Sequence, residues 1–353
     1  MYKINDVTQG ILDEHFDRYA ATTKTLMAEL LNGTAPVLGE LGTRHKISIT
    51  YKVRIGSPTY LFLDKYSQDA NLRKLLCGSW SELLDIISDV EGWIANLEWQ
   101  DKATKAKYDN GDYQIDGQDA NGRVILDHFN EIMRWLFVDN LYDSLDKLNF
   151  IEKLGLKICP YCGRQQINVA KFVERRDSKP PIDHFLPKSL YPFFAISFIN
   201  MVPCCSVCNG IDNKGNFDPL KPVLVMHNPY VFDDASVTFL GGFDVVDKLD
   251  ESSYDVDIAC NPLRLEEGYN KILKLKEFYK QERHKVRDMH NNFTTVTDMY
   301  KDFLNNLSLK REFLEDNASL IIGHRLDDNA SKVEFYKFKR DLFIQLLNIY
   351  GMA

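Results

Sequence analysis

The sequence predicts an α+β fold that is mostly α. Long segments with apolar residues at helical spacing lie towards both ends of the chain, and only short stretches alternate in the way strands do. Two Cys-x-x-Cys turns near the middle predict a compact centre held by a metal ion. We therefore expect a helical N-terminal region with a small β-hairpin (1–150), a metal-stapled central domain (151–235), and a short hairpin followed by a helical C-terminal region (236–353).

The N-terminal region is predicted to begin with an amphipathic helix over 5–31. Alternation over 47–53 predicts a strand, and the Gly-Ser-Pro turn at 56–58 would return the chain as a second strand over 60–63. Further helices are expected over 68–77, 79–97, 123–138 and 141–153, the second of them started by Ser79 or Ser81. His15, His45 and His128 are single histidines, for which we expect structural roles.

In the C-terminal region, Gly241-Gly242 predicts a hairpin of the segments 237–240 and 243–246. Pro262 is a favoured residue at the first helical position and predicts a helix that runs to about 289. Two more helices are expected over 293–306 and 331–349.

Composition excludes several classes of protein. The chain has 353 residues, of which 44% are hydrophobic, so it can bury sizeable cores. It contains no apolar stretch long enough to cross a membrane, and its first residues have no apolar signal segment. Its seven cysteines are too few and too clustered for a secreted disulfide scaffold. We expect a cytoplasmic protein without membrane association.

Charge is unevenly distributed along the chain, whose net charge is −8. Residues 151–190 carry eight Lys or Arg against four Asp or Glu, a net of +4. Residues 232–257 carry eight acidic residues against one lysine, a net of −7. A locally basic segment can hold phosphates, but on an acidic protein it would bind DNA weakly and with strong salt dependence. Affinity is therefore expected to depend on a partner.

The paired cysteines predict a structural zinc site. Zinc prefers four ligands in a tetrahedron, and each C-x₂-C turn supplies two thiolates. The expected ligands are Cys159, Cys162, Cys205 and Cys208, and Cys204 is an alternative to its neighbour. Four thiolates leave no open position for water, so this zinc would fold the domain rather than act in catalysis. Cys77 and Cys260 are expected to be buried free thiols.

The stretch that these cysteines enclose carries a second set of polar residues. Asp183, His184, Asn200 and Asn209 supply a carboxylate, a proton acceptor and two amides. Hydrolysis of a phosphodiester needs an activated water and neutralisation of charge at the phosphate, and a neutral imidazole can take the proton from that water. Because neighbouring strand residues face opposite sides, Asp183 and His184 need a bend or bulge to share one site.

The segments CPYCG, DHFLPKS, NMVPCC and CSVCN resemble those of HNH (ββα-metal) nucleases that carry a four-cysteine zinc site. The resemblance covers roughly residues 155–215 and implies a ββα-metal core. It also implies that Asp183 binds Mg²⁺ or Mn²⁺, that His184 is the general base, and that Asn200, at the end of a strand over 194–199, orients the imidazole. Asn209 would be a further metal ligand, although it can also be read as a turn residue before Gly210.

The sequence departs from the family pattern in one place. The family ending CxxCNxxK is displaced here, so that the next lysine is Lys214 and its contact with phosphate is in doubt. Lys188 is a second candidate for a phosphate contact. Arg164 could hold the flanking backbone, with an ordinary surface arginine as the alternative.

These residues predict a metal-dependent endonuclease that cuts DNA. Two alternatives stay open: an RNA-cleaving toxin of the same fold, and a zinc-stabilised binding module without catalysis. The helical flanks around the core resemble the layout of HNH proteins that stand beside ATPases in bacterial anti-phage systems of the Septu kind. This resemblance of layout implies an ATPase partner subunit, and the sequence is also compatible with a homo-oligomer.

Overall fold

A computed structural model describes the chain over residues 1–34, 51–94, 117–118, 124–126, 129–170, 178–220, 224–245, 247–305 and 310–351. Helices dominate these residues and the sheets are small, which confirms an α+β fold that is mostly α. The chain forms two compact units. The first consists of Met1–Asp6, Leu148–Ile182 and Pro203–Ala353, and the second of Val7–Lys147 and Asp183–Val202. The predicted domain boundaries at 150 and 235 stay a prediction.

The second unit is built mainly from the helices of the N-terminal region. They are Gln9–Asn32, Pro58–Tyr66, Asp69–Cys77, Trp80–Trp93 and Phe129–Met133, the last continuing as a π-helix over Arg134–Tyr142. The helix Trp80–Trp93 begins at Ser79, whose side chain and that of Glu82 form a reciprocal capping box. Of the two serines that could start this helix, Ser79 is the N-cap.

A three-stranded sheet also belongs to the second unit. Val124–Leu126 is its central strand, parallel to Tyr51–Val53 and antiparallel to Gly117–Gln118. The predicted strand over 60–63 is wrong, because Ser57 caps a helix there and Pro58 stands at its first position. The predicted helix over 123–138 is also wrong at its start, where pairing in this sheet outweighs the helical spacing. The predictions for His45, His128 and most of 95–123 lie outside the described residues.

The core of the second unit fixes a loop that follows the strand Ile182–His184. Phe193 packs against Phe62 and Phe129, with ring centres 5.4 and 5.8 Å apart. The Ser197 hydroxyl donates to the carbonyl oxygen of Leu75, and His15 Nε2 donates to that of Ile196 at 2.8 Å. His15 therefore has the structural role expected of it, as a tie between the first helix and this loop.

The predicted strand over 194–199 is wrong. The structure has two 3₁₀ turns, Pro192–Phe194 and Phe198–Asn200, and only then the short strand Met201–Pro203. That strand pairs with Ile182–His184 in a two-stranded sheet. Apolar side chains along 193–199 are buried on all sides, so they do not alternate between a buried and an exposed face as strand residues would.

The first unit contains the remaining helices and one antiparallel hairpin. Its helices are Lys147–Leu154, Ser206–Asn209, Leu263–Ile272, Leu275–Lys280, Arg283–Met299, Lys301–Asn305, Lys310–Asp316, Ser319–Ile322 and Tyr336–Ile349. The first residue of Lys147–Leu154 still belongs to the second unit. Short 3₁₀ turns occupy Pro229–Val231, Asp234–Ser236 and Glu251–Ser253. The predicted helix over 262–289 is divided into three, with a left-handed residue at Lys274 and a non-helical one at Glu282.

The hairpin of the first unit differs from its prediction. Val237–Gly241 pairs with Val256–Cys260 rather than with 243–246. Asp341 and Gln345, one turn apart on the last helix, accept hydrogen bonds from the backbone N–H groups of Phe239 and Gly241 at 3.1 and 2.9 Å. The glycine pair is therefore not a tight turn, because Gly241 is held within the strand.

No helix among the described residues is both long and apolar enough to cross a bilayer.

Candidate metal centre and active site

The first cysteine turn is a tight loop tied to the core of the first unit. Cys159 accepts the backbone N–H of Gly163 at 2.8 Å, and Gly163 has a φ of 67°, which favours glycine. Tyr279 donates its hydroxyl to the carbonyl of Cys162 at 2.6 Å. The Gly163 carbonyl accepts the N–H of Phe335 at 2.7 Å. These bonds fix the direction of both thiols before any metal binds.

The second cysteine turn begins a single turn of helix. Cys205 is the N-cap of Ser206–Asn209, and its sulfur accepts the backbone N–H of Cys208 at 3.4 Å. The sulfur of Cys162 accepts the N–H of Arg164 at 3.5 Å in the same way. Hydrogen bonds of this kind stabilise thiolates. The N–H of the third residue of this helix therefore serves a sulfur.

The four sulfurs of Cys159, Cys162, Cys205 and Cys208 lie within 4.8 Å of one another, and all four residues are buried. Zinc with bonds of about 2.3 Å to sulfur needs neighbouring sulfurs roughly 3.8 Å apart, so a small contraction would close a tetrahedron. Cys204 is buried but outside this group, which confirms Cys205 as the member of the cluster. The four cysteines thus form a candidate zinc site, with sulfur ligands at the predicted positions.

The thiols in this cluster differ in their pKa values. Burial raises the pKa of Cys159 well above its usual value, and hydrogen bonds with the neighbouring thiols lower that of Cys162 well below it. The pKa of Cys205 is lowered and that of Cys208 raised by contacts within the same cluster. A divalent cation would remove the repulsion that keeps four adjacent thiols from ionising together.

Besides Cys204, two further cysteines lie outside this cluster as free thiols. Cys260 is buried, and Cys77 is half-buried with its sulfur directed at the Leu12 carbonyl at 3.2 Å. Burial raises the pKa of each thiol to about 12. Both residues therefore behave as small apolar side chains, as expected.

His184 is buried in the second unit and held by the loop described above. Its Nε2 lies 2.9 Å from the carbonyl oxygen of Ala195. Because a carbonyl can only accept, Nε2 carries the proton and Nδ1 is the basic nitrogen of the neutral ring. The Tyr142 ring packs edge-on against the imidazole, with ring centres 4.6 Å apart. The arrangement fixes both the tautomer and the orientation of the imidazole.

Asn200 is completely buried and supports the same loop. Its Oδ1 accepts the Leu186 N–H at 2.7 Å, and its Nδ2 donates to the carbonyls of Leu186 and Phe194 at 3.1 and 3.0 Å. The amide therefore closes the loop from 186 to 194. We expected Asn200 to contact the imidazole directly. It instead bonds to the carbonyl of Phe194, the residue before Ala195, and the Ala195 carbonyl holds His184.

Asp183 precedes His184 and is buried, with 4% of its surface exposed. Tyr142, which sequence reasoning missed, lies close to both residues. Burial, followed by the charges of Asp143 and Asp183, raises the pKa of Tyr142 to about 12. This phenol therefore stays neutral beside the imidazole. No sequence motif predicts the position of Tyr142, because that position depends on the π-helix of which Tyr142 is the last residue.

The remaining predicted residues have varied surroundings. Lys188 is half-buried in the second unit, with its ammonium group 4.6 Å from the centre of the Tyr142 ring. Asn209 is half-buried at the end of its short helix in the first unit. Lys214 in the first unit is completely buried, and its contact with phosphate stays a prediction.

Arg164, also in the first unit, has a structural environment. Its Nε lies 3.7 Å from a carboxylate oxygen of Glu282, and its guanidinium lies 4.9 Å from the centre of the Phe278 ring. Only 13% of its side chain is exposed. These contacts give Arg164 packing and charge partners within its own unit, so it is not the ordinary surface arginine of the alternative interpretation.

Comparison with known proteins finds two partial relatives. The chain is 29% identical over 177 residues to Protein ea31 of Escherichia phage lambda, a match that covers 46% of this chain and 55% of that protein. It is 34% identical over 85 residues to Septu protein PtuB of Bacillus thuringiensis, covering 24% of this chain and 28% of that protein. The matches thus span less than two thirds of either relative.

No protein-family model and no solved structure matches the chain. The partial similarity to a Septu protein and the four-cysteine cluster are therefore the two observations that bear on the function of this chain.

Proposed function

We propose that this chain is a metal-dependent HNH endonuclease that hydrolyses DNA phosphodiester bonds. The observation that carries the proposal is the setting of His184, whose Nε2 donates to the Ala195 carbonyl and whose Nδ1 is therefore the basic nitrogen. Asp183 precedes it as a buried carboxylate. A four-cysteine cluster at the predicted positions is a second, independent feature of the resemblance.

In the proposed reaction, His184 Nδ1 accepts a proton from a water molecule. The water oxygen bonds to phosphorus, the bond from phosphorus to the leaving sugar oxygen breaks, and that oxygen takes a proton from solvent. The Ala195 carbonyl keeps the imidazole in one tautomer and stabilises the imidazolium that forms. Proton transfer to a positioned general base contributes on the order of 10²–10⁴ in rate.

Asp183 is the proposed protein ligand of Mg²⁺ or Mn²⁺. The resemblance also implies a metal-ligand role for Asn209. Carboxylate and amide oxygens suit such hard cations, which usually keep several waters and use few protein ligands. When bound, the ion would neutralise charge at the scissile phosphate. Zinc on the four cysteines would be structural, because four thiolates exclude a water ligand.

The similarity to a Septu protein supports a role in anti-phage defence. We therefore also propose that the chain works with an ATPase partner subunit and that its nuclease activity is weak without that subunit. The net charge of −8 is consistent with low affinity for DNA in the absence of a partner.

A plasmid-nicking assay tests the proposed chemistry. Wild-type protein and His184→Ala would be compared with Mg²⁺ or Mn²⁺, and zinc content and thermal stability would be measured on both. His284→Ala is the control, because this partly exposed histidine lies on the Arg283–Met299 helix of the first unit. We expect His184→Ala to lose about 10²–10⁴-fold in nicking rate while it keeps its zinc, and the control to behave as wild type. Equal nicking by all three proteins would refute the assignment.

A further inference from the structure

Two lysines meet at the Tyr142 ring, next to the imidazole of His184. The ammonium groups of Lys147 and Lys188 lie 4.2 and 4.6 Å from the centre of this ring. Both distances are within the range of cation–π attraction. Lys147 belongs to no motif in the sequence, and it reaches this point because the π-helix ends at Tyr142 and the next helix starts at residue 147.

Neither lysine has a close carboxylate partner. Within the described parts of the chain, no carboxylate oxygen lies within 4.0 Å of the ammonium group of Lys147 or Lys188. Lys65 offers a contrast in the same unit. It also lies near a tyrosine ring, that of Tyr66, but its ammonium group is 2.6 Å from a carboxylate oxygen of Asp89. Unlike Lys65, the two lysines at Tyr142 therefore form no direct ion pair with a carboxylate of the described residues.

The environment of Lys188 disfavours an isolated charge. Burial lowers the pKa of this lysine; Asp143 opposes the shift, and the charge of Lys147 adds to it. The charge of Arg134 also lowers the pKa of Lys188, and the charge of Asp139 raises it. An anion that contacts both ammonium groups would relieve their mutual repulsion and replace lost hydration. A phosphate has several oxygens and can contact both lysines at once.

We propose that Lys147 and Lys188 form a phosphate-binding pair for the DNA backbone beside His184, with Tyr142 as the positioning residue. The buried Tyr142 ring is 6% exposed, so it is not available to stack on a base. Its edge contacts the imidazole and its π system attracts the two ammonium groups. π-helical turns like the one that ends at Tyr142 are rare and frequently mark functional sites. The inference rests on the proposed nuclease function.

Salt dependence of DNA binding is the test, because each phosphate contact contributes to the slope of log affinity against log salt concentration. Binding of a short duplex would be measured between about 50 and 200 mM salt, without added divalent metal so that the DNA stays intact. We expect Lys147→Gln and Lys188→Gln each to reduce the slope by about 0.9. Lys188→Arg should keep the wild-type slope, and so should the control Lys65→Gln.

Two variants test the positioning role of Tyr142. Tyr142→Phe keeps the aromatic ring and should keep the slope, whereas Tyr142→Leu should reduce it as a lysine substitution does. Circular dichroism and thermal melting would establish that each variant is folded. If Tyr142→Leu keeps the full slope, the ring does not position the lysines.

The outcomes separate this inference from the nuclease proposal. Wild-type slopes for both glutamine variants, or no salt-dependent binding by any of the proteins, would overturn the lysine pair. In that case nicking that depends on His184 would leave the nuclease proposal intact. Reduced slopes together with unchanged nicking by His184→Ala would instead support the lysine pair as a DNA contact and reject the chemistry.

Discussion

The cysteine cluster and the His184 loop are held together by different forces. In the first unit, four sulfurs converge within 4.8 Å of one another without a covalent bond between them. In the second unit, the imidazole is fixed by a backbone carbonyl, and the loop behind it by Asn200, Ser197 and His15. We expect the first arrangement to depend on a cation that balances its thiolates, whereas hydrogen bonds within the protein hold the second. Metal loss should therefore disrupt the first arrangement directly.

The largest effect is expected at the cysteines. Cys205→Ala removes one sulfur from the candidate zinc site, and we expect bound zinc to fall from about one per chain to near zero. Because apparent zinc-binding free energies of such sites are about 10–16 kcal/mol, much of the stability of the first unit should be lost with it. Metal analysis and chemical denaturation measure the two quantities.

Cys204→Ala is the matched control for this experiment. Its sulfur lies outside the cluster, so the variant should keep zinc. Loss of zinc in Cys204→Ala with retention in Cys205→Ala would show that the neighbouring thiols have the opposite roles.

An intermediate effect is expected at Asn200. Asn200→Ala leaves the N–H and carbonyl of Leu186 and the carbonyl of Phe194 without their side-chain partner. An unsatisfied buried polar group costs about 1–3 kcal/mol, so the free energy of unfolding should fall by a similar amount. Nicking should fall too, because the same loop carries the carbonyl that orients His184. Urea denaturation that gives wild-type stability would contradict the role assigned to this amide.

The smallest effect is expected at Ser79, which serves neither region. Ser79→Ala removes the capping box of the Trp80–Trp93 helix and should reduce the free energy of unfolding by about 1 kcal/mol. Ser81→Ala is the comparison, since Ser81 is inside the helix and its hydroxyl bonds only to that of Ser79 among the described contacts. A larger loss in Ser81→Ala than in Ser79→Ala would mean that the helix begins elsewhere.

The sequence was most informative where chemistry restricts spacing. Paired cysteines need short turns, so the cluster could be predicted to the residue, including the choice of Cys205 over Cys204. The dominance of helices also followed from apolar periodicity. The start of the Trp80–Trp93 helix could be narrowed to Ser79 or Ser81, and the structure shows that Ser79 is the N-cap.

Predictions failed where tertiary contacts outweigh local pattern. The segment 194–199 is apolar on every side and forms 3₁₀ turns, and 60–63 is helical because of the preceding Ser57-Pro58 cap. The π-helix brings Tyr142 against His184, and Lys147 lies over the Tyr142 ring; no residue pattern in the sequence predicts either contact. The contact of His184 with the Ala195 carbonyl could not be predicted either, because every residue has a backbone carbonyl.

The most direct test of the account is chemical rescue of His184→Ala. The variant lacks the imidazole whose Nδ1 is proposed to accept the proton, so imidazole added in solution should restore part of its plasmid nicking with Mg²⁺ or Mn²⁺. Asp183→Ala, which lacks a proposed metal ligand rather than the base, should not be rescued. The account predicts restored nicking in the first variant alone. Nicking at the wild-type rate by folded, zinc-loaded His184→Ala without imidazole would contradict it.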